Sequence, residues 1–357
     1  MIARRHLLGR LFGVFAALVI VAAEAAADAA DYTALAADYS APAPFSVLRA
    51  IPLDRALEDR ILALDPANVS DSDVRNLLAR GPAPRIINIH GGVPFVYLVM
   101  SSFSKFLIGM GYPEERIRLP ATGEFSLGPY GESTQEAGSV AAFYEREGLT
   151  PMLIGHSQGG IQVVKILYEL AGGLSKDIPL WNPYADRGPG RATFVDPRTG
   201  ENRTVVGLRI GFASAVAAGG SAMLLAHHWQ MAGKLKIIPD SVEDFTGFSL
   251  GFDWIALDGP DGEAGRYRSG GTAQVRNVIL PSSYSHLNAP ATSHLAESEN
   301  LRQWINDFRP DVVRPVPTQG DTKNIWYAAE MWYSIKRHWV LEMQALIRAR
   351  RAANAYP

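Results

Sequence analysis

The stretch Pro151–Leu167, PMLIGHSQGGIQVVKIL, limits what this chain can fold into more than any other. A short apolar run is followed, with only glycines and a serine between, by a segment whose Ile161, Val164, Leu167 and Tyr168 fall on one helical face. A strand with no polar alternation is buried on both sides, as in a parallel sheet whose connections are helices. The passage therefore predicts a strand, a tight turn and a helix within an α/β sheet.

The flanking sequence repeats this alternation. RIINIHGG predicts a buried strand ended by glycines, FVYLVMSSFSKFLIGMG a helix, and QEAGSVAAFYEREG a second helix ending at Gly148. Further strands are expected in TVVGLRIGFASAV and VRNVIL, a helix over Ser221–Gly233, and another in SENLRQWINDF. Upstream, SDSDVRNLLARG has capping Ser and Asp at its start and Gly81 at its end, which marks a helix in a lead-in packed on the main domain. Residues 173–203 are rich in Pro, Gly and Asp and read as an insertion, with DPRTGE turning between short extended segments. From Asp321 onward one long amphipathic helix rich in Trp and Tyr is expected. Docking on the domain is its predicted role, with peripheral membrane contact as the alternative.

The N-terminus has a different character. Arg4, Arg5 and Arg10 precede or flank LFGVFAALVIVAA, and small residues follow, the order of an export signal with cleavage after Ala25, Ala27 or Ala29. The run is short for a membrane span. ARRHLLGR loosely resembles a twin-arginine signal but lacks its Ser or Thr, so the twin-arginine and ordinary export routes both stay open. The expected destination is periplasmic or secreted. The chain of 357 residues holds no Cys, so in an oxidising compartment its core alone must hold it together. Net charge is −2 with scattered basic residues, a distribution that argues against a nucleic-acid partner. The expected organisation is a signal at 1–29, an α/β domain at 30–314 with cap or insertion elements near 173–203 and 219–272, and a C-terminal helical extension at 315–357.

Gly155-His156-Ser157-Gln158-Gly159 fits Gly-x-Ser-x-Gly, in which a serine nucleophile sits on a strained strand-to-helix turn and the glycines relieve crowding. Ser157 would then stand at the carboxyl edge of a parallel sheet, facing free N–H groups at a helix start. An acyl-transfer site needs two donors for the oxyanion. Gln158, next to the serine, is one candidate; Gly92 in the loop after INIHGG is the other, with Gly91 permitting close approach.

Taken together, IHGG, IGHSQGG and a downstream supply of Asp and His resemble the α/β-hydrolase fold, and within it the secreted serine esterases and lipases. The resemblance covers roughly residues 85–310. It implies a mostly parallel sheet flanked by helices and a triad in the chain order Ser, acid, His. In LGFDWIA, Asp253 stands closest to the family's acid position; Asp240 is the alternative, and Asp244 and Asp258 are further candidates. The base is His294, before the capping Ser298, or His286, soon after VRNVIL; His294 is preferred. His156 is too close along the turn to act as base and is expected to buttress it, as His90 is expected to hold the oxyanion loop. His227 and His228 lack spaced carboxylate partners for a metal site. The implied function is hydrolysis of carboxylic esters through an acyl-enzyme, without a cofactor, on a small-molecule or lipid ester. Amidase, thioesterase or polyester hydrolase activity, or a non-catalytic binding protein of the same fold, are the alternatives.

Overall fold

The computed structural model describes residues 40–93, 95–185, 191–251, 253–256 and 265–356. The segment read as an export signal and Asp258 lie outside the described residues. In chain order the lead-in carries α1 (Ser46–Arg49), α2 (Arg55–Leu62) and α3 (Asp71–Asn76). Then follow β1 (Ile86–Ile89), α4 (Val96–Gly109), α5 (Ser133–Glu147), β2 (Met152–His156) and α6 (Gln158–Leu170). A hairpin of β3 (Thr193–Val195) and β4 (Asn202–Thr204) precedes β5 (Ile210–Val216), β6 (Ile237–Ile238), β7 (Val242–Leu250), β8 (Arg268–Ser269) and β9 (Gln274–Leu280). Helices α7 (Glu299–Asn306) and α8 (Ile325–Ala352) complete the chain.

Five strands form one parallel sheet in the order β1-β2-β5-β7-β9. Their residues sort by period two, as pleating requires. Ile86, Ile154, Phe212 and Phe248 face a core shared with Phe103 of α4 and Trp332 and Trp339 of α8. Ile87, Ile89, Leu153, Ala213 and Phe245 face the opposite core, with Val140 of α5 and Ile161 and Val164 of α6. The three strands β1, β2 and β5 are buried at every position, which is why they read as continuous apolar runs rather than as alternating ones.

Local signals account for several boundaries. Ser70 and Asp73 form a reciprocal capping box at the start of α3, and Gly148 ends α5 in the left-handed region at φ 76°. In the DPRTGE turn, Asp196 and Glu201 pair through the backbone, and Gly200 takes φ 75°.

Two expectations are corrected. Ser221–Gly233 is not an α-helix but two 3-10 turns, Gly220–Leu224 and Ala226–Met231. Gly219 and Gly220 enter with φ of 147° and 64°, and the break at Leu225 is extended, so no continuous ladder of helical bonds can start. Residues 219–272, read as a cap, also contain β7, the fourth strand of the sheet. Its glycines disguised it: a Cβ at Gly247 would come within 2.2 Å of the Tyr267 ring, so the position is left bare for close packing.

The C-terminal helix is less an appendage than a layer of the molecule. Trp332, Ile335, Trp339, Met343 and Leu346 are fully buried along one stripe, so the apolar face that suggested membrane contact is already covered by the domain. No helix among the described residues is long and apolar enough to cross a membrane. The Trp339 ring lies 4.7 Å from that of Tyr112, and its indole N–H donates to the Pro82 carbonyl at 3.2 Å. Trp339→Ala opens a large cavity and orphans that carbonyl, and is expected to cost about 3–5 kcal/mol, read as a lowered urea midpoint in equilibrium unfolding.

Candidate active site

Ser157 leaves β2 at φ 56° and ψ −122°, a conformation that costs a residue with a Cβ about 1–3 kcal/mol and persists only where the surroundings enforce it. Here they do. The Ser157 N–H donates to the Val216 carbonyl at 2.8 Å, and the Gly160 N–H donates back to the Ser157 carbonyl at 2.9 Å. A Cβ at Gly159 would sit 2.1 Å from the Ile89 carbonyl oxygen, and one at Gly155 would sit 2.4 Å from that of Gly159. The helix can start this close to β1 and β2 only because both positions lack side chains.

Strands that run in parallel bring their following loops to one edge, and the candidate residues arrive there from four of them. Gly92 follows β1, Ser157 follows β2, Asp253 follows β7 and His286 follows β9. The Ser157 hydroxyl donates to His286 Nε2 at 2.8 Å, and His286 Nδ1–H donates to Asp253 Oδ2 at 2.7 Å. The other Asp253 oxygen accepts the Ile255 and Ala256 N–H groups, each at 3.0 Å. Burial alone raises the Asp253 carboxyl. The hydrogen bonds from His286 and those two amides, with the imidazole charge, outweigh it and hold the group below the usual carboxylate range.

The preference for His294 is corrected: the structure brings His286, not His294, to the serine. His294 lies in the Ser293–Ala296 turn, with Nε2 3.9 Å from Asp321. The loop after β9 is tied instead to the start of α8. Tyr284 Oη accepts the Trp326 N–H at 2.9 Å, and Asn324 Nδ2 donates to the Asn288 carbonyl at 2.8 Å. Those ties hold the loop beside the serine and carry the chain past it before His294. Asp240 is likewise not brought to the serine. It precedes β7, at the opposite edge, and caps the Thr272 hydroxyl and the Thr272 and Ala273 amides. Asp244 pairs with Arg337 and with His338, the latter at 3.1 Å.

His156, expected to buttress the serine turn, reaches instead to the loop that carries His286. Its Nε2–H donates to the His286 carbonyl at 2.6 Å, and its Nδ1 is buried without a partner among the described residues. A ring that donates at one nitrogen and is bare at the other is neutral. Burial and the neighbouring His286 push it down to about 4. His90 Nδ1–H donates to the Gly91 carbonyl at 2.7 Å, and a Cβ at Gly91 would lie 3.1 Å from that of Ser157.

The serine opens into a cleft of about 350 Å³. Val93, Val96, Ala222, Leu225, Ile255 and Leu287 line its apolar walls, and Gly92, Tyr130 and Gln158 line the rest with the two histidines. Tyr130, Ile255 and Leu287 were not anticipated; Ile255 and Leu287 merely flank triad positions, and nothing local marks Tyr130. A larger cavity of about 520 Å³ lies at the other edge of the sheet, around Asp244, Arg276 and His338, remote from this chemistry. The His227 and His228 rings are tilted at 50° with centroids 3.9 Å apart, and no group of three or more metal-ligating side chains converges among the described residues. In comparisons with known proteins, the chain matches no protein-family model and no curated protein sequence.

The neutral, buried His156 has a consequence for stability. Its folded value, about 4, lies below the ordinary 6.5, so the unfolded chain binds the proton first as pH falls. Its contribution is intact above pH 6.5 and is lost between there and about pH 4, to a total of about 3 kcal/mol. Urea unfolding at pH 7.5 and 4.5 is expected to show that acid-side loss in the wild type and a smaller one in His156→Gln.

Proposed function

We propose that this chain is a serine hydrolase of the α/β-hydrolase fold that cleaves carboxylic esters. The observation that carries the reading is the unbroken chain from Ser157 through His286 to Asp253, at 2.8 and 2.7 Å, on a strained turn at the carboxyl edge of a parallel sheet.

In this mechanism His286 Nε2 takes the Ser157 proton as the hydroxyl oxygen attacks the acyl carbon, and Asp253 orients and stabilises the imidazolium. The carbonyl oxygen gains negative charge in the tetrahedral intermediate and is held by the N–H groups of Gln158 and Gly92. Neither N–H has a hydrogen-bond partner among the described residues. The helix dipole at the start of α6 adds to their effect. Collapse expels the alcohol, protonated by His286, and leaves an acyl-serine. Water, deprotonated by the same imidazole, then releases the acid and restores the enzyme.

The apolar walls of the cleft support an ester with a hydrophobic acyl or alcohol group. Leu98, Leu224 and Trp254 are each more than 60 % exposed and stand within two residues along the chain of the cleft-lining Val96, Leu225 and Ile255. Exposed apolar side chains next to cleft-lining positions favour substrates that present apolar surface, lipid or polyester esters included. The charged, apolar and small-residue order at the N-terminus supports action outside the cytoplasm.

A fluorophosphonate probe and a chain-length series of nitrophenyl esters test the reading. The wild type is expected to be labelled and active, and Ser157→Ala to be unlabelled. His286→Ala is expected to lose activity about 10⁴-fold or more, while His294→Ala stays near wild type. Full ester hydrolysis by Ser157→Ala overturns the mechanism, and a folded wild type that the probe never labels points to a non-catalytic binding protein instead.

A further inference from the structure

Gln158 contributes more than its backbone. Its side chain lies across the oxyanion loop: a Cβ at Gly92 would sit 2.0 Å from Gln158 Oε1, so the amide packs directly against the Gly92 Cα. At the other end of the same amide, Nε2 donates to His227 Nε2 at 2.9 Å. His227 belongs to the Ala226–Met231 turn, far from the serine in sequence, and the Lys165 ammonium ties the same turn to α6 through the His227 carbonyl at 3.2 Å. The His227 ring packs 3.9 Å from the buried His228 and 5.5 Å from Tyr130. The Tyr130 hydroxyl closes the circuit by donating to the Gly92 carbonyl at 3.0 Å.

Gly92 is thus held on two sides, at its carbonyl by Tyr130 and at its Cα by the Gln158 amide, and His227 touches both holders. A glycine loop without such contacts would sample many conformations, and a donor displaced by a fraction of an ångström no longer meets the developing charge. To accept from an amide N–H, His227 must be neutral; partial desolvation and the Lys165 ammonium both push its imidazole down, in keeping with that state.

We propose that His227 is a positioning residue for the oxyanion donors, fixing the Gln158 side chain over Gly92 so that the 3-10 segment after β5 sets turnover as well as walling the cleft. The inference rests on the serine hydrolase reading above. It predicts that breaking the His227 contact lowers the rate of the chemical step and leaves substrate affinity nearly intact.

The test compares wild type with His227→Phe, which keeps a ring against Tyr130 and His228 but removes the acceptor. Each protein is titrated with the fluorophosphonate to count intact Ser157, then assayed on a nitrophenyl ester and its thiono analogue. Sulfur in place of the carbonyl oxygen is a weaker hydrogen-bond acceptor on a longer bond, so the ester-to-thionoester rate ratio reports how well the donors are set. Removing an oxyanion donor outright costs 10²–10³-fold, so loosening the Gly92 donor is expected to lower kcat about 10-fold, with KM within about 2-fold. The ester-to-thionoester ratio should fall in parallel. Gln158→Ala should show the same loss, the double variant little more, and His227→Asn, which retains an acceptor, a partial recovery. Tyr130→Phe, at an exposed position, is expected to lower the same ratio and keeps the test available should His227→Phe fold poorly. Wild-type kcat and ratio in His227→Phe and Tyr130→Phe, or a loss carried wholly by KM, overturns the inference while leaving the hydrolase reading in place. A wild type with no titratable serine overturns both.

Discussion

The close approach of α6 to the first two strands is the constraint on which the rest of the molecule depends. The helix begins one residue after Ser157, and a Cβ at Gly159 would come 2.1 Å from the Ile89 carbonyl oxygen. Gly160 is equally confined, 2.6 Å from Ala218 Cβ by the same measure. That contact leaves the serine in a left-handed conformation, lifted out of the sheet, with the first N–H groups of α6 behind it. It also brings the loop after β1 against the serine, where Gly91 and Gly92 lie. One steric fact therefore aims the Ser157 hydroxyl and, under the proposed function, places both oxyanion donors.

Strain of this kind must be held by something stiffer. The two cores on the faces of the sheet supply that stiffness, one built on α5 and α6 and the other on α4 and α8. With no cysteine in the chain, this packing holds the fold without disulfides. Buried charges are tied down in the same layer. Glu58 accepts from Arg350 at 2.9 Å and Arg351 at 3.0 Å, which joins α2 to the end of α8. The Lys336 ammonium donates to the Val69 and Asn306 carbonyls at 2.6 and 2.8 Å, while burial pushes it down to about 7. Breaking one partner of such contacts leaves a desolvated group unpaired, so they make the register of α8 specific even where they add little net stability.

The strand-to-helix passages were legible because their signals are local. Apolar runs ended by glycine mark β1 and β2, a capping box marks α3, and the spacing of Ile161, Val164 and Leu167 marks the buried face of α6. Where the sequence misled, the cause was a distant partner. Gly247 and Gly251 made β7 look like loop, although Gly247 is bare only to admit the Tyr267 ring. The stretch around His227 and His228 has a helical spacing of apolar residues, yet the left-handed glycines before it deny it an α-helical start. Tyr130 and His227 had no signal at all, since their partners are Gly92 and Gln158, brought near by the sheet rather than by the chain.

The sequence by itself determined the α/β alternation, the serine on its glycine-flanked turn and a supply of Asp and His after the later strands, because period, turn chemistry and residue type are properties of neighbours along the chain. Which histidine meets the serine was a matter for tertiary structure alone. His286 and His294 stand eight positions apart after β9, in stretches similarly rich in Ser, Ala and Pro. The bonds from the loop after β9 to Trp326 and Asn324, at the start of a helix some forty residues on, hold His286 against Ser157 and carry His294 away. No local pattern contains that information, because it resides in the docking of α8 against the sheet.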